Sequence, residues 1–166
     1  MSSECSSETR RKRLAFLLSQ VGAHAAAKFA ERLGPLKLAP AHAGILWAIS
    51  ADTGISQQGL AKLLGMFPSR LVLVLDELEQ MGLIERKATA ADRRTYALHV
   101  TAKGRTTMQS IGRLAQEHQE KLCAALTPGE QETLAALLSR IAEEQGLAPG
   151  VHPGYRQIGR GKKGSC

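Results

Sequence analysis

The spacing of apolar residues changes period along the chain, and those changes predict its elements. Over residues 14–33 (LAFLLSQVGAHAAAKFAERL), Leu14, Leu17, Leu18, Val21, Ala25 and Phe29 recur at helical spacing, and Gly34-Pro35 closes the run. Pro40 opens a second helix, PAHAGILWAISA, with Gly54 beyond its end. Proline suits the first helical position because the N–H it lacks would have no partner there. Ser56 is placed to cap a third, short helix (QQGLAKLLG) that stops at Gly65, and Pro68 begins a fourth, PSRLVLVLDELEQM, closed by Gly82. The period then shortens. Residues 83–87 and 95–100 read as two strands, and the polar segment 88–94 between them makes a hairpin. From Thr101 the helical stripe returns at Met108, Ile111, Leu114, Ala115, His118, Leu122 and Ala125. A last helix is announced by Thr127-Pro128-Gly129-Glu130, a capping box with proline at the first position, and shows one apolar face of Leu134, Leu137, Leu138 and Ile141.

The order is helix, helix, short helix, helix, hairpin, long helix, helix. Two tightly joined helices followed by a two-stranded wing describe a winged helix-turn-helix in a mainly α chain. At 166 residues the chain has one domain's length. The expected division is a flexible N-terminus over 1–9, a domain over 10–145 with a DNA-binding core at 40–105, and a disordered basic tail over 146–166. That tail holds six glycines, two prolines and no acidic residue. No internal repeat is visible.

Charge sharpens this picture. The net charge of +7 divides into +2 over residues 1–13, zero over 14–82, +4 over 83–105, −3 over 106–145 and +4 over 146–166. The internal basic segment, with Arg86, Lys87, Arg93, Arg94, Lys103 and Arg105, falls on the hairpin and the start of the next helix. A local positive feature on a neutral body is the footprint of a nucleic-acid surface, although a solvated charged loop would carry the same count. Aromatic residues are only 4% of the chain, too few for a surface that stacks many bases. No apolar run approaches membrane-spanning length and the N-terminus has no apolar leader, so the expectation is a cytoplasmic protein with no membrane contact. Cys5, Cys123 and Cys166 are odd in number and stand at no metal-ligand spacing. Nucleophile elbow, glycine-rich phosphate loop and paired metal-binding histidines are all missing, so neither an enzyme nor a bound cofactor is expected.

The stretch from Ile55 to Arg105 resembles the DNA-binding core of MarR-type transcriptional regulators. The resemblance rests on LDELEQMGLIER, then Asp92-Arg93-Arg94, then Leu98 with Thr101 and Gly104 in the ending LT..G. It extends over residues 10–145, including flanking helices that interlock as a dimer in that family. It implies a homodimer on a pseudo-palindromic stretch of double-stranded DNA, most simply a repressor, with the fourth helix in the major groove and the wing at the minor groove. By resemblance Asp92 shapes the wing tip, and Arg93 or Arg94 enters the groove. Ser69 and Arg70 occupy the first turn of the fourth helix, opposite core positions Leu71, Val74, Leu75 and Leu78. That is the place for base or phosphate contacts. Arg86 belongs to the basic wing, and Gln57 with Gln58 opens the preceding helix, where they could hold the backbone.

One departure stands out. Val72 and Leu73 fall off the core face where the family carries polar or basic residues. Either they meet thymine methyl groups, or this helix meets a protein surface and DNA specificity is weakened. For a small anionic or aromatic effector, expected by resemblance between the dimer helices and the winged domain, the candidates are His24, Lys28, His42 and His118. All three histidines lie on apolar helical faces, where a satisfied core histidine is the commoner outcome. Lys28 could neutralise a carboxylate or merely snorkel.

Overall fold

In a computed structural model of the chain, residues 3–88 and 96–152 are described, with side chains from residue 13 onward. The elements are α1 (Ser3–Leu33), a single 3₁₀ turn (Gly34–Leu36), α2 (Pro40–Ala51), α3 (Gln57–Leu64), α4 (Pro68–Gln80), β1 (Ile84–Ala88), β2 (Tyr96–Val100), α5 (Ala102–Leu122) and α6 (Pro128–Glu144). This is a mainly α winged helix-turn-helix with long helices before and after it, as the period changes predict.

Local chemistry accounts for most of the boundaries. Ser56 Oγ accepts the Gly59 N–H at 3.0 Å and starts α3, and Gly65 ends it in the left-handed region at φ 61°. Gly82, at φ 70°, turns the chain from α4 into the wing. The capping box of α6 forms in full: Thr127 Oγ1 accepts the Glu130 N–H, and Glu130 Oε2 accepts the Thr127 N–H at 2.8 Å. β1 and β2 pair antiparallel from Ile84 opposite Val100 to Ala88 opposite Tyr96. The chain before α3 adds a short third rung, with Gly54 N–H donating to Leu98 O and Leu98 N–H to Ile55 O, both at 3.0 Å. The wing is thereby tied to the helix-turn-helix as well as to itself.

Two boundaries differ from the sequence reading. α1 begins at Ser3, because residues 3–13 contain no breaker, and so it takes in most of the stretch expected to be free. The stretch after α6 also has structure as far as His152. Gly146 closes α6 at φ 63° while Leu147 N–H returns to Ala142 O at 2.9 Å, and Val151 packs half-buried against the core. Residues 153–166 of the expected tail lie outside the described residues.

The core sits beneath the helix-turn-helix and the wing. Ile45, Leu46 and Ile49 of α2, Leu60 of α3, and Leu71, Leu75 and Leu78 of α4 are fully buried there. Leu33, Leu83, Ile84, Leu98 and Ile111 close it from α1, the wing and α5. The outer helices are different. On α1, Leu14, Phe16, Leu17, Leu18 and Val21 are exposed, and α6 buries no residue, leaving Leu134, Leu137, Leu138 and Ile141 40–48% exposed. The α5 stripe buries only Met108 and Ile111, and Leu122 at its end is exposed.

Candidate nucleic-acid interface and effector cavity

The exposed side of the helix-turn-helix carries the first candidate surface. α4 starts at Phe67-Pro68 with no side-chain cap, so no side chain competes for its leading N–H groups. Ser69 is exposed in its first turn, and Arg70 lies with its guanidinium carbon 5.3 Å from the centroid of the Phe67 ring. That cation–π contact fixes the arginine stem near the helix start. Leu73, one turn further on, is 64% exposed, whereas Val72 is half-buried, so only one of the two off-face apolar residues is presented to solvent. Gln57 is half-buried at the start of α3. Phe67, 67% exposed, and Leu63, 48% exposed, join this surface without having been singled out. A phenylalanine immediately before a proline-started helix was the signal available for Phe67.

Arg86 is placed otherwise than its basic neighbourhood suggests. Its Nη2 donates to Asp76 Oδ1 at 2.6 Å and its Nη1 to Glu79 Oε2, and its backbone N–H reaches Glu79 Oε1 at 3.3 Å. The side chain is 18% exposed. Burial works against the charge there, but the two carboxylates outweigh it and hold the guanidinium ionised. Arg86 therefore bolts β1 to the second half of α4, and its donors are spent on carboxylates rather than offered to phosphate. Asp92, Arg93 and Arg94, at the tip of the wing, lie outside the described residues.

A cavity of about 850 Å³ opens between α1, α2 and α5. Its walls are Gly22, Ala25, Ala26 and Phe29 from α1, Ala41, Ala43, Gly44 and Trp47 with the preceding Ala39-Pro40 from α2, and Ile111, Ala115 and His118 from α5. Gly150 and His152, from the segment after α6, complete it. Glycine and alanine at so many wall positions make the space, because side chains that short leave facing helices apart. Its size falls within the range of small-molecule sites.

Of the four effector candidates, only His118 reaches this cavity. Its ring lies 5.6 Å from that of Phe29. Burial first, then the charges of Arg32 and His24, lower its pKa below the ordinary imidazole value. His24 is exposed on α1 and is not in the wall. Lys28 Nζ pairs with Glu31 at 2.8 Å on the surface. His42 faces the other way. Its Nδ1 accepts the Ala39 N–H at 2.9 Å, starting α2, and its Nε2 lies 2.9 Å from Glu77 Oε2 on α4. Since Nδ1 is an acceptor, Nε2 carries the proton and donates to Glu77. His42 thus joins the end of α2 that walls the cavity to the middle of α4. Among the described residues, no three histidine, cysteine, aspartate or glutamate side chains gather as a metal site, and no single helix is long and apolar enough to cross a membrane.

Comparison with known proteins agrees with this geometry. Residues 38–96 match the model of the MarR family. A protein of Thauera aromatica described as a putative transcriptional regulatory protein for the hcr operon is 33% identical over 106 residues, 64% of each chain. The chain thus spans 64% of the length of that curated relative. Among solved structures, the transcriptional repressor CouR bound to a 23-mer DNA duplex is 31% identical, with a TM-score of 0.70, over 78% of this chain and 92% of that one. A MarR mutant from E. coli complexed with operator DNA is 27% identical, with a TM-score of 0.66, over 77% of this chain and 92% of the other.

Proposed function

The chain belongs to the MarR family of transcriptional regulators, and from that premise we propose that it binds a pseudo-palindromic site in double-stranded DNA as a homodimer and represses transcription by occupying it. The observation that carries this reading is the exposed first turn of α4, with Ser69 and Arg70 on a helix held rigidly by its buried face. Leading N–H groups and a positive dipole end favour phosphate, and an arginine in that turn can reach base edges. Leu73 supplies an apolar contact for a thymine methyl, Gln57 holds the backbone, and the wing tip, with Asp92 and Arg93 or Arg94, reaches the minor groove. The core of this unit is residues 40–105.

A second copy of the chain is the natural cover for the outer helices. The apolar faces of α1 and α6 and the end of α5 are contiguous in the chain order with the domain yet unburied, which a two-fold partner would correct. The cavity is then the effector site. His42 supports a route from it to DNA: a ligand that shifts the start of α2 moves the His42–Glu77 hydrogen bond and with it α4, changing the separation of the two recognition helices.

A second reading has its own observation. Leu63, Phe67 and Leu73 are all large, apolar and exposed along the helix-turn-helix, as they would be on a protein-binding surface. One experiment separates the two. The purified protein is titrated against its own promoter region and against a scrambled duplex of equal length, at several salt concentrations. Selective binding that falls steeply with salt, at two subunits per site, is the expected result. Arg70→Ala should then cost about 1–3 kcal/mol if the arginine reads a base. Equal, weak binding to both duplexes refutes the regulator and favours a protein partner.

A further inference from the structure

Phe67 is a large apolar side chain left 67% exposed at the start of α4, and its ring lies under the guanidinium of Arg70. We infer that Phe67 is a positioning residue for sequence readout: it touches no base itself, its ring holds Arg70 in place, and the base so read is guanine. This deepens the reading of the chain as a DNA-binding regulator and rests on it.

The ring is held where it can do this. Phe67 precedes Pro68, which disfavours the helical region at that position, and its backbone is extended at φ −65° and ψ 132°. Its carbonyl accepts the Arg70 N–H at 3.0 Å and the Leu71 N–H at 3.1 Å, and Leu71 is fully buried. The backbone beneath the ring is therefore fixed from both sides, and the aromatic side chain adds few torsions to it. Arg70 by contrast has a long flexible stem, and ordering such a side chain on binding costs about two- to tenfold in affinity. With the guanidinium carbon 5.3 Å from the ring centroid, part of that ordering is complete before DNA arrives.

The stack also selects the base. Stacking uses the face of a guanidinium and hydrogen bonding uses its edge, so one side chain can do both. An edge with paired donors matches paired acceptors, and in the major groove only guanine offers them, at O6 and N7. Adenine sets a donor beside its acceptor, and each pyrimidine presents a single polar group there. Phosphate, which any mobile cation serves, would give no reason to keep an exposed phenyl ring beside the arginine.

A double-mutant cycle on the full-length protein tests this. A randomised double-stranded DNA pool is enriched on the wild type, and affinities for an enriched duplex and for a scrambled duplex of equal length are compared as a ratio. Phe67→Leu keeps the apolar bulk and removes the ring face, and should lower the ratio about three- to fivefold. Phe67→Trp restores a face and should bring the ratio back to within about twofold of the wild type. In the Arg70→Ala background, Phe67→Leu should change the ratio by less than about twofold, because the ring has no guanidinium left to hold. Arg70→Ala should also abolish discrimination at one base pair of each half-site. That pair should carry guanine, and its change to adenine should cost the wild type about tenfold. An equal loss from Phe67→Leu in both backgrounds means that the ring itself touches DNA and overturns the inference. No loss in the wild-type background, no recovery with tryptophan, or an Arg70-dependent base other than guanine overturns it as well. A pool that enriches for no sequence sinks the regulator together with this inference, whereas enrichment without the coupling sinks the inference alone.

Discussion

Gly104 is the residue whose replacement discriminates most sharply between local propensity and packing. It lies in the first turn of α5, where Thr101 Oγ1 caps its N–H at 3.0 Å. Judged by helix propensity alone, alanine would stabilise this position by about 1 kcal/mol. The surroundings reverse the sign. A Cβ at Gly104 would stand 2.1 Å from the Leu83 carbonyl oxygen and 2.7 Å from Val100 Cγ1. The valine could move, but the carbonyl cannot without breaking something: it accepts the Thr101 N–H at 3.0 Å, at the point where α4, the wing and α5 meet.

Relieving such an overlap costs about 3 kcal/mol, the upper end of core overpacking, because the obstacle is backbone. Set against the propensity gain, Gly104→Ala should lose about 2 kcal/mol net. Urea denaturation at fixed protein concentration measures it; with a slope of about 2 kcal/mol per molar, the midpoint should fall by about 1 M. Gly112, in the same helix, has nothing within 4 Å of a Cβ, so Gly112→Ala should stabilise instead, by about 0.5–1 kcal/mol, and raise the midpoint by about 0.25–0.5 M. If both substitutions shift stability in the same direction, close approach is not what reserves position 104 for glycine.

Two further outcomes follow from the ion pairs and the cavity. Arg86→Met keeps the aliphatic stem and removes the bolt to Asp76 and Glu79, so it should destabilise by about 1–2 kcal/mol, between the values for surface and buried pairs, while the salt dependence of DNA binding keeps its slope; a shallower slope would return Arg86 to the phosphate surface. His118 has its pKa lowered by burial, so between its folded value and the ordinary 6.5 the unfolded chain binds the extra proton: stability should be full above about pH 6.5 and decline below it, and His118→Phe should remove that part of the slope in denaturation midpoints measured across the range.

How much of this the sequence disclosed depends on how far each signal reaches along the chain. The starts of α2, α3, α4 and α6 and the turns at Gly65 and Gly82 were legible because one or two residues settle each through backbone chemistry alone: a proline without an N–H, a hydroxyl over a free N–H, a glycine at positive φ. Arg86 shows where that reach ends. A basic residue in a basic segment looks the same whether it faces phosphate or carboxylate, and what settles the matter is Asp76 and Glu79 on another element, brought opposite by the turn at Gly82. The histidines make the same point three times. His24, His42 and His118 all follow apolar helical spacing, yet one is exposed, one ties α2 to α4, and one walls a cavity, because periodicity fixes the face of a helix and leaves open what lies across from it. Val151 is the converse case. A segment rich in glycine and without acidic residues reads as free by composition, but a single valine four residues beyond the last helical carbonyl pairing at Leu147 is enough to fold the segment onto the core, and that contact is what places Gly150 and His152 in the wall.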